Sequence, residues 1–158
     1  MFQVGDKVVY PMHGAGTIEA IEEREVLGEI RQYYVMHMPV GNMKVLLPLN
    51  NVEHLGLREV IARSKVHEVF KILKDKECPE TLAWNQRYRA NLEKIRSGDI
   101  MEVAEVVRTL AFREKEKGLS AGEKKMFENA CQILVSEIVL SEESEEGQVR
   151  TRLDKVLA

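Results

Sequence analysis

The spacing of apolar and polar residues divides the chain into two parts with different periods. In the first part, residues 1–55, apolar residues alternate with polar ones in short runs that end at glycine, proline or asparagine. The clearest run is 32–38, in which Tyr34, Met36 and Met38 fall on one face of a strand. Similar runs predict three further strands, at 7–10, 17–24 and 43–47. Several short strands joined by tight turns favour a small, strongly curved sheet or barrel.

From residue 58 onward the apolar residues recur every three or four positions, which is typical of one face of a helix. About five helices are predicted. Three of them span approximately 59–74, 84–96 and 147–157, and the first is ended by Cys78-Pro79. Two more begin at motifs that resemble capping boxes, Asp99 with Glu102 and Ser120 with Glu123.

Strands followed by helices favour an α+β protein, or two domains, over a doubly wound sheet. The 158 residues suffice for one good core or for two small domains that share an interface. We place the boundary near Leu55-Gly56-Leu57, which we expect to act as a hinge. The predicted domains are residues 1–56 and 57–158.

Charge is distributed unevenly along a chain whose net charge is −3. Residues 1–57 carry 4 basic and 7 acidic side chains, residues 58–118 carry 14 and 11, and residues 119–158 carry 5 and 8. The balances are therefore −3, +3 and −3. Within the positive part, residues 83–96 hold four basic residues, a single acid and the only tryptophan of the chain.

Two interpretations fit this tryptophan segment when it is placed on a helix. Its apolar stripe contains Trp84, Tyr88, Leu92 and Ile95. One flank of the stripe carries Arg87, Asn91 and Lys94, and the other carries Asn85, Arg89 and Arg96. An apolar wedge between two cationic rows suits a nucleic-acid groove. An ordinary amphipathic helix with a core tryptophan fits the pattern equally well.

No residue pattern indicates an enzyme, a metal site or a cofactor site. The four histidines, His13, His37, His54 and His67, show no metal-ligand spacing, and nucleotide-binding and nucleophile motifs are absent. Cys78 and Cys131 lack a partner pattern and are interpreted as reduced thiols. With no secretory signal and no apolar run near the ~20 residues of a membrane span, we expect a cytoplasmic protein.

The order of the motifs closely resembles the CarD/CdnL family of bacterial transcription regulators. The resemblance extends over nearly the whole chain and is carried by Phe2-Gln3-Val4-Gly5-Asp6-Lys7-Val8-Val9-Tyr10-Pro11 with His13-Gly14, by the segment 84–94, by Ser97-Gly98-Asp99, by residues 103–108 and by residues 117–126. It implies a Tudor-like β module that binds the β subunit of RNA polymerase. It also implies a helical domain that lies against promoter DNA at the upstream edge of the transcription bubble. No small-molecule substrate and no membrane are implied.

The resemblance also implies roles for individual residues. Trp84 matches the tryptophan that wedges into the minor groove, and Arg87 and Arg89 match positions that contact DNA. Asn85 and Lys94, on the flanks of the same helix, are expected to assist them.

Arg24 matches a position that faces the polymerase. Some relatives carry an arginine at the position of Leu46, whereas here the basic side chain is Lys44, two residues earlier on the same face. These three residues are the expected polymerase contacts.

Two function hypotheses follow. The first is a non-enzymatic regulator, associated with the nucleoid through RNA polymerase, that stabilises the open promoter complex. An acidic protein with one basic patch binds DNA weakly alone and would depend on polymerase to raise its concentration at the promoter. The alternative is a protein–protein adaptor without DNA contact, in which Trp84 is buried in the helical core.

Overall fold

The computed structural model describes residues 2–75 and 83–158, which form a β module followed by a helical bundle. The strands are β1 (Lys7–Tyr10), β2 (Gly14–Val26), β3 (Glu29–Met38), β4 (Met43–Pro48) and β5 (Arg58–Glu59). The described α-helices are α1 (Val52–Leu55), α2 (Val66–Lys74), α3 (Trp84–Arg96), α4 (Ile100–Glu116), α5 (Ala121–Glu142) and α6 (Glu146–Leu157). Short 3₁₀ turns occupy Leu49–Asn51 and Arg63–Lys65. The predicted α+β class, with the β module first, is confirmed.

The β module is one antiparallel sheet with the strand order β4-β3-β2-β1-β5. Tyr34, Met36 and Met38 are buried on the inner face of β3, as their alternation predicts. They form a core with Val8, Ile18 and Leu47. The Tyr34 hydroxyl donates a hydrogen bond of 2.9 Å to the Phe2 carbonyl, so its polar end is satisfied inside the module.

The β2–β3 hairpin extends beyond this core. All side chains from residue 21 to residue 30 are exposed. The turn consists of Leu27 and Gly28, with φ angles of 53° and 81°. A two-residue hairpin turn with two positive φ angles favours Asn-Gly or Asp-Gly, so a leucine that is 97% exposed is unusual at its first position.

The first long helix starts later than predicted. The 3.6-residue period suggested a start near Glu59, but Arg58 and Glu59 form β5 and pair with Val9 and Val8 of β1. This pairing provides hydrogen-bond partners for backbone groups on the side of β1 that β2 does not cover. The gain from these bonds is larger than the helix propensity of two residues. Helix α2 therefore begins at Val66. The expected break at Cys78-Pro79 lies outside the described residues.

Helix α5 is the centre of the bundle. At 22 residues it is about 33 Å long, and it contacts β2, α4 and α6. Buried side chains therefore surround it instead of forming a single stripe. Its start is set by Ser120, whose hydroxyl accepts the backbone N–H of Glu123 at 3.2 Å. Asp99 caps α4 through the N–H of Met101, two residues later, and not through that of Glu102, so both predicted N-cap residues are confirmed.

The two modules are joined by hydrogen bonds to α5. The Ser136 hydroxyl accepts the N–H of Ala15 at 2.8 Å. Arg58 donates two hydrogen bonds of 2.7 Å to the carboxylate of Glu137, which is 1% exposed. The expected boundary at residues 56/57 thus precedes the last strand of the sheet. The segment expected to be a hinge is followed directly by a residue that is bound to the helical bundle.

Candidate functional site

Trp84 is the first residue of α3, and 44% of its surface is exposed. Its ring stacks on Tyr88, one turn later, with centroids 5.1 Å apart and planes inclined by 20°. Tyr88 and Leu92 are half-buried against the helical core, and Ile95 is fully buried. The apolar stripe of this helix therefore enters the core at one end and reaches solvent at Trp84. The burial of Trp84 that the adaptor hypothesis assumed is wrong.

The start of α5 supports the indole ring. Trp84 Nε1 donates a hydrogen bond of 3.1 Å to the Ser120 hydroxyl. A Cβ atom built at Gly122 would lie 3.8 Å from the Trp84 ring and 3.9 Å from Tyr88, so the two rings rest against this turn of α5. Beside them a groove of about 490 Å³ runs between α3 and α5. The groove is lined by Tyr88, Leu92, Ile95, Gly122, Lys125, Met126, Glu128, Asn129 and Gln132.

Arg87 forms an ion pair across the two helices. Its Nε and one terminal nitrogen donate to the two carboxylate oxygens of Glu123, at 2.8 and 3.2 Å. The pair is well shielded, since 11% of the Arg87 side chain and 2% of the Glu123 side chain are exposed. The hydrogen bond from Arg87 lowers the pKa of Glu123, and it raises the pKa of Arg87 itself. Arg87 therefore holds α3 to the start of α5, directly below Trp84.

Among the described residues, two guanidinium groups and one carboxylate meet at this pair, which favours a positive potential. Arg113 of α4 places its Nε 3.8 Å from Glu123, so two guanidinium groups face one carboxylate. The N-terminal end of α5, with its partial positive charge, adds to this potential. The first turn of α3 contains no acidic residue, and Ala83 offers no side-chain cap. Such an environment attracts an anion such as a phosphate group.

The other predicted DNA contacts differ in accessibility. Asn85 and Arg89 are exposed within the first two turns of α3, near Trp84. Lys94 lies ten residues from Trp84, about 15 Å along the helix axis, and it binds Glu105 of α4 at 2.8 Å. Trp84, Asn85 and Arg89 thus form one exposed group, while Lys94 is separate from it.

Other residues near Trp84 were not among the predicted contacts. Lys125 of α5 is exposed and lines the groove together with Tyr88 and Gly122. Ser120 and Glu123 were identified only as a helix cap. The capping box marked these two residues as the start of a helix. It did not indicate that Trp84 binds Ser120 or that Arg87 binds Glu123.

The three predicted polymerase contacts lie in the β module. Directly opposed residues of antiparallel strands point to the same side of a sheet. The register pairs Arg24 with Arg31, Leu46 with Val35 and Lys44 with His37. These partners on β3 have odd numbers, whereas the core residues of β3, from Tyr34 to Met38, have even numbers. Arg24, Leu46 and Lys44 therefore share the face opposite to the core of the module. Arg24 and Lys44 are separated by six residues of β3, about 20 Å.

Short ion pairs accompany the two cations of this face. Arg24 is 3.1 Å from Glu22, and Lys44 is 3.4 Å from Glu19. All four side chains are at least 40% exposed, so these pairs contribute little to stability and can exchange partners. Lys44 and Leu46 belong to β4, an edge strand of the sheet.

Within residues 2–75 and 83–158, no three His, Cys, Asp or Glu side chains are arranged to hold a metal ion. Cys131 is a free, buried thiol, and burial raises its pKa to about 12. A thiol with such a pKa is a poor nucleophile at neutral pH. No helix in the described part of the chain is long and apolar enough to cross a membrane.

The pair of Arg87 and Glu123 predicts a pH dependence of stability. Because the pKa of Glu123 in the folded protein is below its ordinary 4.5, the pair contributes fully above pH 4.5. The contribution is lost as the pH falls through the lower folded-state value. Urea unfolding of the wild type and of Glu123→Gln, measured above and below pH 4.5, tests this. The wild type should lose more unfolding free energy than the variant, and equal losses would contradict the assignment.

Comparisons with known proteins agree with the order of the two modules. A family model described as "CarD-like/TRCF RID domain" matches residues 2–61, and one described as "CarD, C-terminal domain" matches residues 68–154. The chain is also similar to "Putative transcription factor YdeB" of Bacillus subtilis (strain 168). The two are 45% identical over 151 residues, which cover 96% of this chain and 99% of that protein.

Proposed function

The chain belongs to the CarD family of transcription regulators, and on that premise we propose that it binds the β subunit of RNA polymerase and stabilises the open promoter complex. The β module supplies the polymerase contact. Trp84 enters the minor groove at the upstream edge of the bubble, and Asn85 and Arg89 contact the DNA backbone beside it. The protein acts without a cofactor and is a regulator, not an enzyme. It works in the cytoplasm, at the nucleoid, where polymerase carries it.

The observation that carries this proposal is the placement of Trp84. A tryptophan that is 44% exposed and stacked on a half-buried tyrosine offers a rigid aromatic surface to solvent. Aromatic or apolar wedges with basic neighbours stabilise opened or kinked base-pair steps. Arg89 on the same helix and Lys125 in the adjacent groove are exposed cations beside it. Arg87 contributes through its pair with Glu123, and any direct contact of Arg87 or Lys94 with DNA stays a prediction.

The shared outer face of Arg24, Leu46 and Lys44 supports the polymerase contact. Two cations about 20 Å apart with an apolar side chain between them match the composition of a protein interface with a polar rim. The edge position of β4 also leaves backbone groups available for strand addition. Leu27, at the turn of the hairpin, is 97% exposed and offers a further apolar side chain at the end of the sheet that carries Arg24.

The two contacts together explain how an acidic protein acts on DNA. With a net charge of −3 the free protein has little general affinity for phosphates. Binding to polymerase makes the DNA contact intramolecular, which raises the effective concentration of the Trp84 site. A wedge that fits only melted DNA adds binding energy to the open complex alone, and so shifts the equilibrium toward that complex.

Footprinting of a polymerase–promoter complex tests the proposal. Adding the protein should extend protection at the upstream edge of the bubble and increase the fraction of melted DNA. Protein that binds polymerase but leaves the footprint unchanged would favour the adaptor hypothesis. One observation favours that alternative: Arg87 and Lys94, two of the expected DNA cations, are engaged in ion pairs within the protein.

Arg24→Glu tests the polymerase contact. Reversing an interface charge introduces repulsion where attraction is expected, so affinity for the isolated β subunit should fall by about tenfold. The fold should be unaffected, because the ion pair of Arg24 with Glu22 is exposed. Binding is measured by titration of labelled protein. Lys155→Glu on α6, also at an exposed position, is the control, and equal affinities of the two variants would exclude Arg24 from the interface.

A further inference from the structure

We propose that Ser120 is a positioning residue that fixes the direction of the Trp84 indole ring, together with Glu123 and Arg87. The proposal rests on the proposed function of Trp84 as a wedge. It adds that the wedge is held ready by the start of α5, which lies 36 residues away in the sequence.

The bonding capacity of the Ser120 hydroxyl is fully used. It accepts the indole N–H of Trp84 at 3.1 Å and the backbone N–H of Glu123 at 3.2 Å. It donates its proton to the Glu123 carboxylate at 3.4 Å. A serine hydroxyl has one proton and two lone pairs, so these three bonds define its orientation and leave the oxygen facing Trp84.

A closed ring of contacts links the two helices. Trp84 is bound to Ser120, Ser120 to Glu123, and Glu123 to Arg87, which lies one turn after Trp84 on α3. The first turn of α3 is therefore attached to the first turn of α5 at two points. Rotation of the Trp84 side chain requires loss of the bond to Ser120 and of the stacking on Tyr88.

Fixing an exposed tryptophan has a consequence for binding. A side chain that rotates freely loses that freedom when it enters a complex, and the loss weakens binding. Trp84 is already restricted in the free protein, so it meets the DNA with a smaller entropic cost. Because Trp84 is the only tryptophan, its fluorescence reports on this restriction directly.

Ser120→Gly is the decisive variant. Glycine is accepted at a helix N-cap at little cost in stability, but it lacks the hydroxyl that holds Trp84. We expect a larger amplitude of the fast component in the anisotropy decay of Trp84. We also expect an open-complex half-life about 2- to 10-fold shorter than with wild type, which is the effect of ordering one large side chain. Ser120→Thr keeps the hydroxyl and should restore both properties.

Asp99→Gly is the matched control, because it removes the side-chain cap of α4 by the same change. It should alter neither the anisotropy decay nor the half-life. An unchanged anisotropy decay in Ser120→Gly would overturn the positioning role. If Ser120→Gly makes Trp84 more mobile but leaves the half-life unchanged, positioning by Ser120 does not matter for the open complex. A normal half-life with Trp84→Ala would instead remove the wedge itself, and the role of Ser120 with it.

Discussion

Trp84→Ala is expected to remove most of the stabilisation that this protein gives to open promoter complexes. Stacking of a base on an aromatic side chain contributes about 1–3 kcal/mol, which corresponds to about 5- to 150-fold in an equilibrium constant. The dissociation half-life of open complexes, measured with competitor after preincubation with saturating protein, should fall toward the value without the protein. Affinity for the β subunit should remain at the wild-type level, because Trp84 lies outside the β module.

Phe112→Ala provides a control for loss of an exposed aromatic ring. Phe112 is 39% exposed, close to the 44% of Trp84, but it lies on α4 near Leu73 and Val156. Its removal should leave the half-life unchanged. A wild-type half-life with Trp84→Ala would exclude the wedge, and equal decreases in both variants would indicate a general effect on the helical bundle.

The features that were predictable from the sequence are local and periodic. The alternation of Tyr34, Met36 and Met38 identified the buried face of β3. The caps at Asp99 and Ser120 defined the starts of α4 and α5. The buried face of β3 and the two helix caps each depend on residues that are close together in the sequence. The local backbone geometry determines their energy.

The exposure of Trp84 was not decidable from its helix alone. Periodicity assigns it to the same stripe as Ile95, which is buried. What separates the two residues is where α5 begins, and that depends on contacts between segments far apart in the sequence. The sequence therefore left a core tryptophan and an exposed wedge as alternatives, and the packing of the helices decides between them.

The two buried glutamates show the same limit. Glu123 lies seven residues before Ala130, and Glu137 lies three residues after Leu134, so helical spacing places each glutamate on the same side of α5 as a buried apolar residue. An acid at such a position indicates a buried partner. It does not identify that partner, and Arg87 and Arg58 are 36 and 79 residues away.

Glu137→Ala is expected to cause the largest loss of stability. The Glu137 carboxylate is buried, and it accepts two hydrogen bonds from Arg58 and one of 2.8 Å from the backbone N–H of Ile61. Removing it leaves a guanidinium and an amide without these acceptors at the junction of the modules. Losing one member of a buried ion pair costs about 3–5 kcal/mol. Urea unfolding followed by circular dichroism should show a decrease of about 3 kcal/mol, since Arg58 is partly exposed.

Two further variants separate the ion pair from simple truncation. Glu128→Ala, at an exposed position of the same helix, should change the unfolding free energy by less than about 0.5 kcal/mol. The double variant Arg58→Met with Glu137→Leu leaves no unpaired charge, so it should recover part of the loss. Because the pair of Arg58 and Glu137 joins the helical bundle that carries Trp84 to the β module, Glu137→Ala should shorten open-complex half-lives at temperatures where it remains folded. Its affinity for the β subunit should be unchanged. A stable variant with wild-type half-lives would show that the promoter complex does not require a fixed angle between the modules.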